Sequence, residues 1–390
     1  MRRVGEPWKT WRAGFAAALW GVMAASGAWA QQPANGGGEV VIGQVAPLSG
    51  VLASTGEQMV LGGRIYFEAV NEQGGVNGAR IRHKVVDDGY KVEETVRLTR
   101  DLLAKPDTVA LFGFAGTANI AQLLDEGVLE RGGAALVAPY TGGEPLRNPF
   151  NPWIFHVRAG YGDEAEHMVQ QVTTLGLKRI AVMYQDDASG KAGLAGVGAA
   201  LQKRNLQMAA AAGYERNTDK VDDAVKAIKA SDAQAVIMIA INKPAAAFIK
   251  RYRQAGGGAQ LFNISVVDPA ELVKGAGLAN ARGLGISQVV PYPYRPDLPA
   301  VREYHQLLKK YAPGQEPNYT SFEEFLGAKV LVEALRRAGA APTRARVMRA
   351  LESMGNHDLG GVFVNFSSAN RIGSRYVEVT VIGSSGKLLK

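Results

Sequence analysis

The chain has 390 residues, with 44 Lys+Arg against 36 Asp+Glu and no cysteine. Without a thiol there is no disulfide framework, no thiolate chemistry and no cysteine to carry a lipid anchor. The formal charge of +8 falls to +5 once the first thirty residues are set aside (40 Lys+Arg against 35 Asp+Glu), and the remaining basic residues are scattered, with Lys309-Lys310 and Arg336-Arg337 on amphipathic helical stretches, which excludes nucleic acid as a partner.

Arg2, Arg3, Lys9 and Arg12 precede an apolar run from Ala13 to Ala25 and the small-x-small triplet Ala28-Trp29-Ala30. This is the pattern of a cleavable secretory signal over residues 1–30, which places the mature protein in the periplasm, free of an anchor. Residues 31–38 are low in complexity and are expected to form a disordered tail. About 360 residues then remain, more than one core usually supports and comfortable for two domains. No later run approaches the length of apolar sequence needed to span a bilayer.

Val40 to Val45 is a short apolar run suited to a strand buried on both faces. Met59, Gly63, Tyr66 and Val70 follow on one helical stripe that ends at Gly74-Gly75, and Asn77-Gly78 supplies a tight turn into a second strand from Arg80 to Asp87. Further strands are predicted at Val109 to Phe114, Ala134 to Ala138, Ile180 to Gln185, Ala235 to Ala240 and Leu261 to Ser265. Helical stripes separate them: Leu194, Val197 and Leu201, then Val221, Val225 and Ile228, then Ala245, Phe248 and Tyr252, with a longer helix starting at Leu326 and Val330. Strands alternating with helices mark an α/β architecture of parallel sheets.

In open parallel sheets ligands bind beyond the carboxyl ends of the strands, which singles out the loops after each one. Ala115-Gly116-Thr117 and Thr141-Gly142-Gly143 each set small residues and a hydroxyl where a helix begins, an arrangement able to receive an anion. Tyr140, Tyr161, Tyr292 and Tyr319 are candidates for the walls of a cleft, Tyr140 foremost because its neighbours are already implicated. An enzyme is not expected. The five histidines, at 83, 156, 167, 305 and 357, show no metal-ligand spacing, and neither a G-x-S-x-G elbow nor a Gly-rich phosphate loop occurs. Asp87-Asp88 and Asp186-Asp187 are paired carboxylates, but neighbours on a strand point to opposite faces and cannot converge on one bond. No metal and no cofactor is expected.

The ordered set IGQVAPLSG (42–50), FEAVNEQGGVNGARI (67–81), VVDDGY (85–90), LFGFAGTANIA (111–121), LVAPYTGG (136–143) and IAVMYQDDASGKAGL (180–194) resembles the type I periplasmic binding proteins of ABC transporters, the Leu/Ile/Val-binding group. The resemblance covers nearly all of the chain after its leader. It implies two Rossmann-like lobes, 39–157 plus 291–362 and 158–290 plus 363–390, joined by three hinge crossings near Phe155 to Arg158, Ser287 to Pro291 and Val362 to Phe366. It also implies a monomer that closes on a small solute and delivers it to permease subunits in the inner membrane. A sensor that reports the solute to a membrane kinase is the alternative role.

Carried over residue by residue, the family's carboxylate-holding positions fall on Ala115, Gly116 or Thr117 and on Thr141 with Gly142. Other positions have changed: the aromatic expected in the first loop is Thr55, the one expected after Asp186-Asp187 is Ser189, and the tyrosine expected after the fifth strand is Asn242. The acid that would neutralise an amino acid's ammonium should lie near Ser265 to Val267, and Val266 stands at its centre with no carboxylate until Asp268. The expected ligand is therefore a carboxylate without a free amine, aromatic or aliphatic. Asp187 or Asp268 could supply the missing charge, which keeps an amino acid as the alternative ligand.

Overall fold

The computed structural model describes residues 38–390. The signal segment, and all of the tail except Gly38, lie outside the described residues. Strands β1 (Glu39–Ala46), β2 (Arg80–Asp87), β3 (Thr108–Phe112), β4 (Leu136–Val137) and β5 (Ile154–Phe155) form a parallel sheet in the order β2-β1-β3-β4-β5. The second lobe is built on β6 (Ile180–Gln185), β7 (Met208–Tyr214), β8 (Ala235–Ile239), β9 (Gln260–Asn263) and β10 (Gly285–Gln288). A separate hairpin pairs β11 (Gly355–Asp358) with β12 (Phe363–Phe366). The last strands, β13 (Glu378–Ile382) and β14 (Leu388–Leu389), extend the second sheet to the order β14-β13-β10-β9-β8-β6-β7. In this sheet β13 and β14 alone run antiparallel to their neighbours, as the hairpin strands β11 and β12 do to each other.

The reason these runs became strands is visible in their burial. β3 and β8 are buried at every position and β1 at all but the first, as continuous apolar runs in covered parallel sheets must be. The strands read from the sequence at 80–87 and 180–185 are present with those limits. The Asn77-Gly78 turn is there as well, both residues at positive φ (51° and 86°) and flanked by the Val76–Ala79 pair. β7 escaped the sequence reading. It is an alanine-rich edge strand that alternates between exposed and covered positions and carries no β-branched residue to announce it.

Helices α1 (Ala53–Glu72), α2 (Val92–Leu103), α3 (Thr117–Asp125) and α4 (Val128–Gly132) belong to the first lobe. The second carries α5 (Tyr161–Thr174), α6 (Ala188–Gln202), α7 (Asp222–Ala230), α8 (Asn242–Gln254), α9 (Pro269–Ala276) and α10 (Leu278–Ala281). The chain then returns to the first lobe for α11 (Pro299–Tyr311), α12 (Tyr319–Ala338) and α13 (Arg344–Glu352). α12 begins seven residues before the apolar stripe that predicted it, because the Asn318 side chain accepts the Ser321 amide at 2.8 Å and caps the helix there. It lies along α1 at close range. A Cβ on Gly62 would stand 2.1 Å from the Ser321 carbonyl oxygen, and Tyr66 meets Phe325 edge to face at 5.3 Å. None of the helices among the described residues is long and apolar enough to cross a membrane.

The chain passes between the lobes three times, after β5, after β10 and after β12. The last passage lies between Phe366 and Glu378, later than the 362–366 stretch expected for it, since β12 pairs with β11 and Phe366 packs on Phe155 of the first sheet.

Candidate functional site

The loops beyond the carboxyl ends of both sheets face one another across a narrow space with a cavity volume of about 20 Å³. Four tyrosines line it: Tyr90 from the loop after β2, Tyr140 after β4, Tyr161 at the start of α5 and Tyr214 at the end of β7. Leu52, Ile239, Ile241, Ile264 and Val266 supply aliphatic wall, and Gly116, Gln185 and Ser189 the remaining polar surface. No lining residue carries a formal charge. Burial pushes the Tyr90 hydroxyl up to about 12 and raises those of Tyr140, Tyr161 and Tyr214, so all four are neutral at physiological pH.

At one end of this space three helices begin, α3, α5 and α6, from opposite lobes, and their positive ends converge. The Thr117 and Ser189 hydroxyls meet at 2.8 Å across the lobes, and the Thr117 amide donates to Ser189 Oγ at 3.4 Å. Thr141 Oγ1 is fully buried; it lies 2.7 Å from Thr117 Oγ1 and accepts the Gly143 amide at 3.1 Å. Gly116 starts α3 at φ 91°, where a Cβ would stand 2.7 Å from the Tyr90 ring, so only glycine fits the turn. This end is suited to a carboxylate.

Of the residues singled out in the sequence, Gly116, Tyr140, Tyr161, Ser189 and Val266 line the space. Thr117 and Thr141 stand behind it, Ala115 bridges to Tyr140, and Gly142 packs under the Tyr161 ring. Thr55 and Asn242 meet at the rim, Asn242 Nδ2 donating to Thr55 Oγ1 at 3.2 Å across the lobes. Tyr292 and Tyr319 do not reach the cleft; they cluster with Tyr294, at 5.1 and 5.9 Å between centroids, and Tyr292 donates to the Leu388 carbonyl. Tyr90, Gln185 and Tyr214 were not anticipated, although Tyr90 closes the VVDDGY segment. Their role depends on a contact between lobes that no local pattern encodes.

The carboxylates that might have balanced an ammonium are committed elsewhere. Asp268 Oδ1 accepts the Ala270 and Glu271 amides at the start of α9. Asp187 caps α6 through the Gly190 amide and faces Arg216 at 3.1 Å. Asp88 accepts the Tyr90 amide, and Asp87 those of Leu48 and Gly89, so that pair shapes loops.

Behind Tyr140 lies a buried charged cluster. Arg158, fully buried on the first crossing, stands 5.0 Å from the Tyr140 ring centroid and 3.4 Å from both Glu164 and Glu323. Glu164 accepts the Ser265 amide at 2.8 Å and the Ser287 hydroxyl at 2.5 Å, tying α5 to β10 and to the loop after β9. Burial pushes the Glu323 carboxyl up to about 7 against the lowering influence of Arg158, and holds Glu324, whose two oxygens find no hydrogen bond, well above the usual carboxylate range. Such carboxyls hold their protons more tightly folded than unfolded. Their contribution to stability is complete below their ordinary value of 4.5 and is lost as pH rises through the folded value. Two buried histidines act in the opposite sense. Burial brings His83 down to about 4 and His156 well below its ordinary value, so they cost stability only as pH falls below 6.5. Above about pH 6.5 these histidines add no further slope, and the unfolding free energy in urea is expected to fall as pH rises and the two raised carboxyls lose their protons. A Glu324→Gln protein should lose most of that dependence, whereas an equal slope in both proteins would show that Glu324 is ionised in the fold.

The described chain matches, over residues 39–387, the sequence profile of a family described as periplasmic binding protein. A substrate-binding periplasmic protein from Ralstonia solanacearum superposes with a TM-score of 0.86 at 39% identity, over 90% of this chain and 99% of that one. An extracellular ligand-binding receptor from Verminephrobacter eiseniae does so with a TM-score of 0.82 at 31% identity, over 90% and 100%. An amino acid binding protein of Pseudomonas aeruginosa is 24% identical over 306 residues, 77% of this chain and 79% of the relative.

Proposed function

The chain belongs to the periplasmic binding protein family, and from that premise we propose that it captures a small apolar carboxylate lacking a free amine and hands it to the permease subunits of an ABC transporter. It does so as a monomer in the periplasm, once residues 1–30 are removed. Open lobes exchange water and solute; the solute bridges both strand-end surfaces, and closure buries it.

One observation carries the ligand class: the space between the lobes ends against three helix starts, with the Ser189 hydroxyl on its lining, those of Thr117 and Thr141 directly behind, and no acid anywhere on its lining. A carboxylate is held at the hydroxyl end by amides and by the helix fields, each helix contributing about 0.3–1 kcal/mol. An ammonium on the same molecule would be buried among tyrosine rings and aliphatic side chains unpaired, at a cost of several kcal/mol. The name of the Pseudomonas aeruginosa relative favours the second reading, an amino acid, with Asp187 released from Arg216 to meet the amine.

Matched pairs decide between them. Leucine and 4-methyl-2-oxopentanoate, or phenylalanine and phenylpyruvate, share a carboxylate and a side chain and differ in the amine. In a thermal-shift assay of the mature protein, a keto acid at 100 times its dissociation constant is expected to add roughly 2.7 kcal/mol of stability and its amino acid partner nothing. A shift with the amino acids alone, or an equal shift with both, would overturn the proposed class.

A further inference from the structure

We propose that Arg216 is the latch of the closed state, a positioning residue that crosses from the second lobe to fix Tyr90 as a wall of the pocket; this rests on the reading of the two lobes as a hinged clamp. Arg216 follows β7 and belongs to the second lobe, yet its partners are mainly in the first. Its guanidinium lies over the Tyr90 ring at 4.0 Å from the centroid, and one terminal nitrogen donates to the Tyr90 carbonyl at 2.9 Å and to Asn119 Oδ1 at 2.6 Å. On its own side Arg216 Nε faces Asp187 at 3.1 Å, with only 17% and 8% of the two side chains exposed.

A surface ion pair would be the plain reading, and its geometry differs. The two charges are mostly withdrawn from water, where stacking of a guanidinium on an aromatic ring gains in strength, and the planar fork serves stacking and donation together. A lysine could keep the charge opposite Asp187 but not this combination.

The latch also touches the pocket. Tyr90 lines it, and Gln185, another lining residue, donates to the Tyr90 hydroxyl at 3.3 Å and to Asp187 Oδ2 at 2.7 Å. Asp187 in turn caps the helix on which Ser189 sits. A solute packed against Tyr90 or Gln185 therefore steadies the surface on which Arg216 must stack. The latch couples occupancy to closure without being part of the lining.

The absence of cysteine gives a clean reporter of closure. In a Thr117→Cys, Ser189→Cys protein the two thiols replace hydroxyls 2.8 Å apart across the lobes, and copper phenanthroline with dioxygen, the two-electron oxidant, joins them as a disulfide only when the lobes are shut. Adding Arg216→Ala is expected to slow cross-linking roughly tenfold, and Arg216→Lys nearly as much, while the thermal midpoint moves little. A rate in Arg216→Ala within about twofold of the parent, or full rescue by lysine, would overturn the latch. Should the alanine protein fail to fold, Asn119→Ala, which removes one acceptor, carries the test with a smaller slowing. A parent that never cross-links would instead overturn hinge closure itself.

Discussion

A Thr141→Leu protein is expected to fold and to bind its solute at least roughly a hundredfold more weakly than the parent, a loss of about 2.7 kcal/mol. Thr141 Oγ1 lies at the junction of the polar end, between the Thr117 hydroxyl, the Gly143 amide and, at 3.5 Å, the Tyr161 hydroxyl. Leucine removes the hydroxyl and leaves a buried amide without its acceptor, at about 1–3 kcal/mol. It also forces two methyl groups into a filled site, and the side chains free to yield are Tyr161 and Thr117, which shape the cavity. Against a stability of about 5–15 kcal/mol the fold survives, while the cradle does not. Thr141→Ser keeps the oxygen and should bind within about threefold of the parent. Titration calorimetry with 4-methyl-2-oxopentanoate measures the affinities and circular dichroism the fold; parent-like affinity in the leucine protein would remove the polar end from the site.

The second large effect is on stability. Arg158→Leu should cost about 3–5 kcal/mol in urea unfolding at about pH 8, where Glu323 is ionised, because Glu164 and Glu323 would remain buried without their cation. The size of that loss does not measure the strength of the ion pair. Withdrawing three charged groups from water is itself costly, and much of the loss comes from stranding the carboxylates. Removing them too should therefore restore stability: Arg158→Leu, Glu164→Gln, Glu323→Gln is expected to be more stable than Arg158→Leu alone. A single substitution costing under about 1 kcal/mol would show the cluster to be hydrated in solution.

Local chemistry and pairing at a distance were legible in the sequence to different degrees. Val40 to Val45 and Ile180 to Gln185 announced themselves because a strand covered on both faces is mostly apolar, and Asn77-Gly78 because few residues tolerate positive φ. The two-residue strand β4 was readable only through the apolar stretch around it. β10, written Gly-Ile-Ser-Gln, and the antiparallel β13 and β14 beyond it were not, since their burial is imposed by neighbours hundreds of atoms away. The same division runs through the candidate site. Loops with small residues at helix starts led to Gly116, Thr117 and Thr141, and the family's positions to Ser189. Ile239, Ile241 and Ile264 look like the ends of ordinary core strands, and Arg216 like one more surface base, until the lobes are brought together.

The embrace of α1 by α12 has a consequence for how such a chain comes to be made. Gly62 and Tyr66 need partners at Ser321 and Phe325, and Arg344 at the start of α13 donates to the carbonyls of Leu103, Lys105, Thr108 and Gly132. During synthesis the first sheet is laid down early, but its greasy outer surface stays bare until some two hundred further residues have left the ribosome. The half of the molecule that starts first is thus completed only after most of the other has been made.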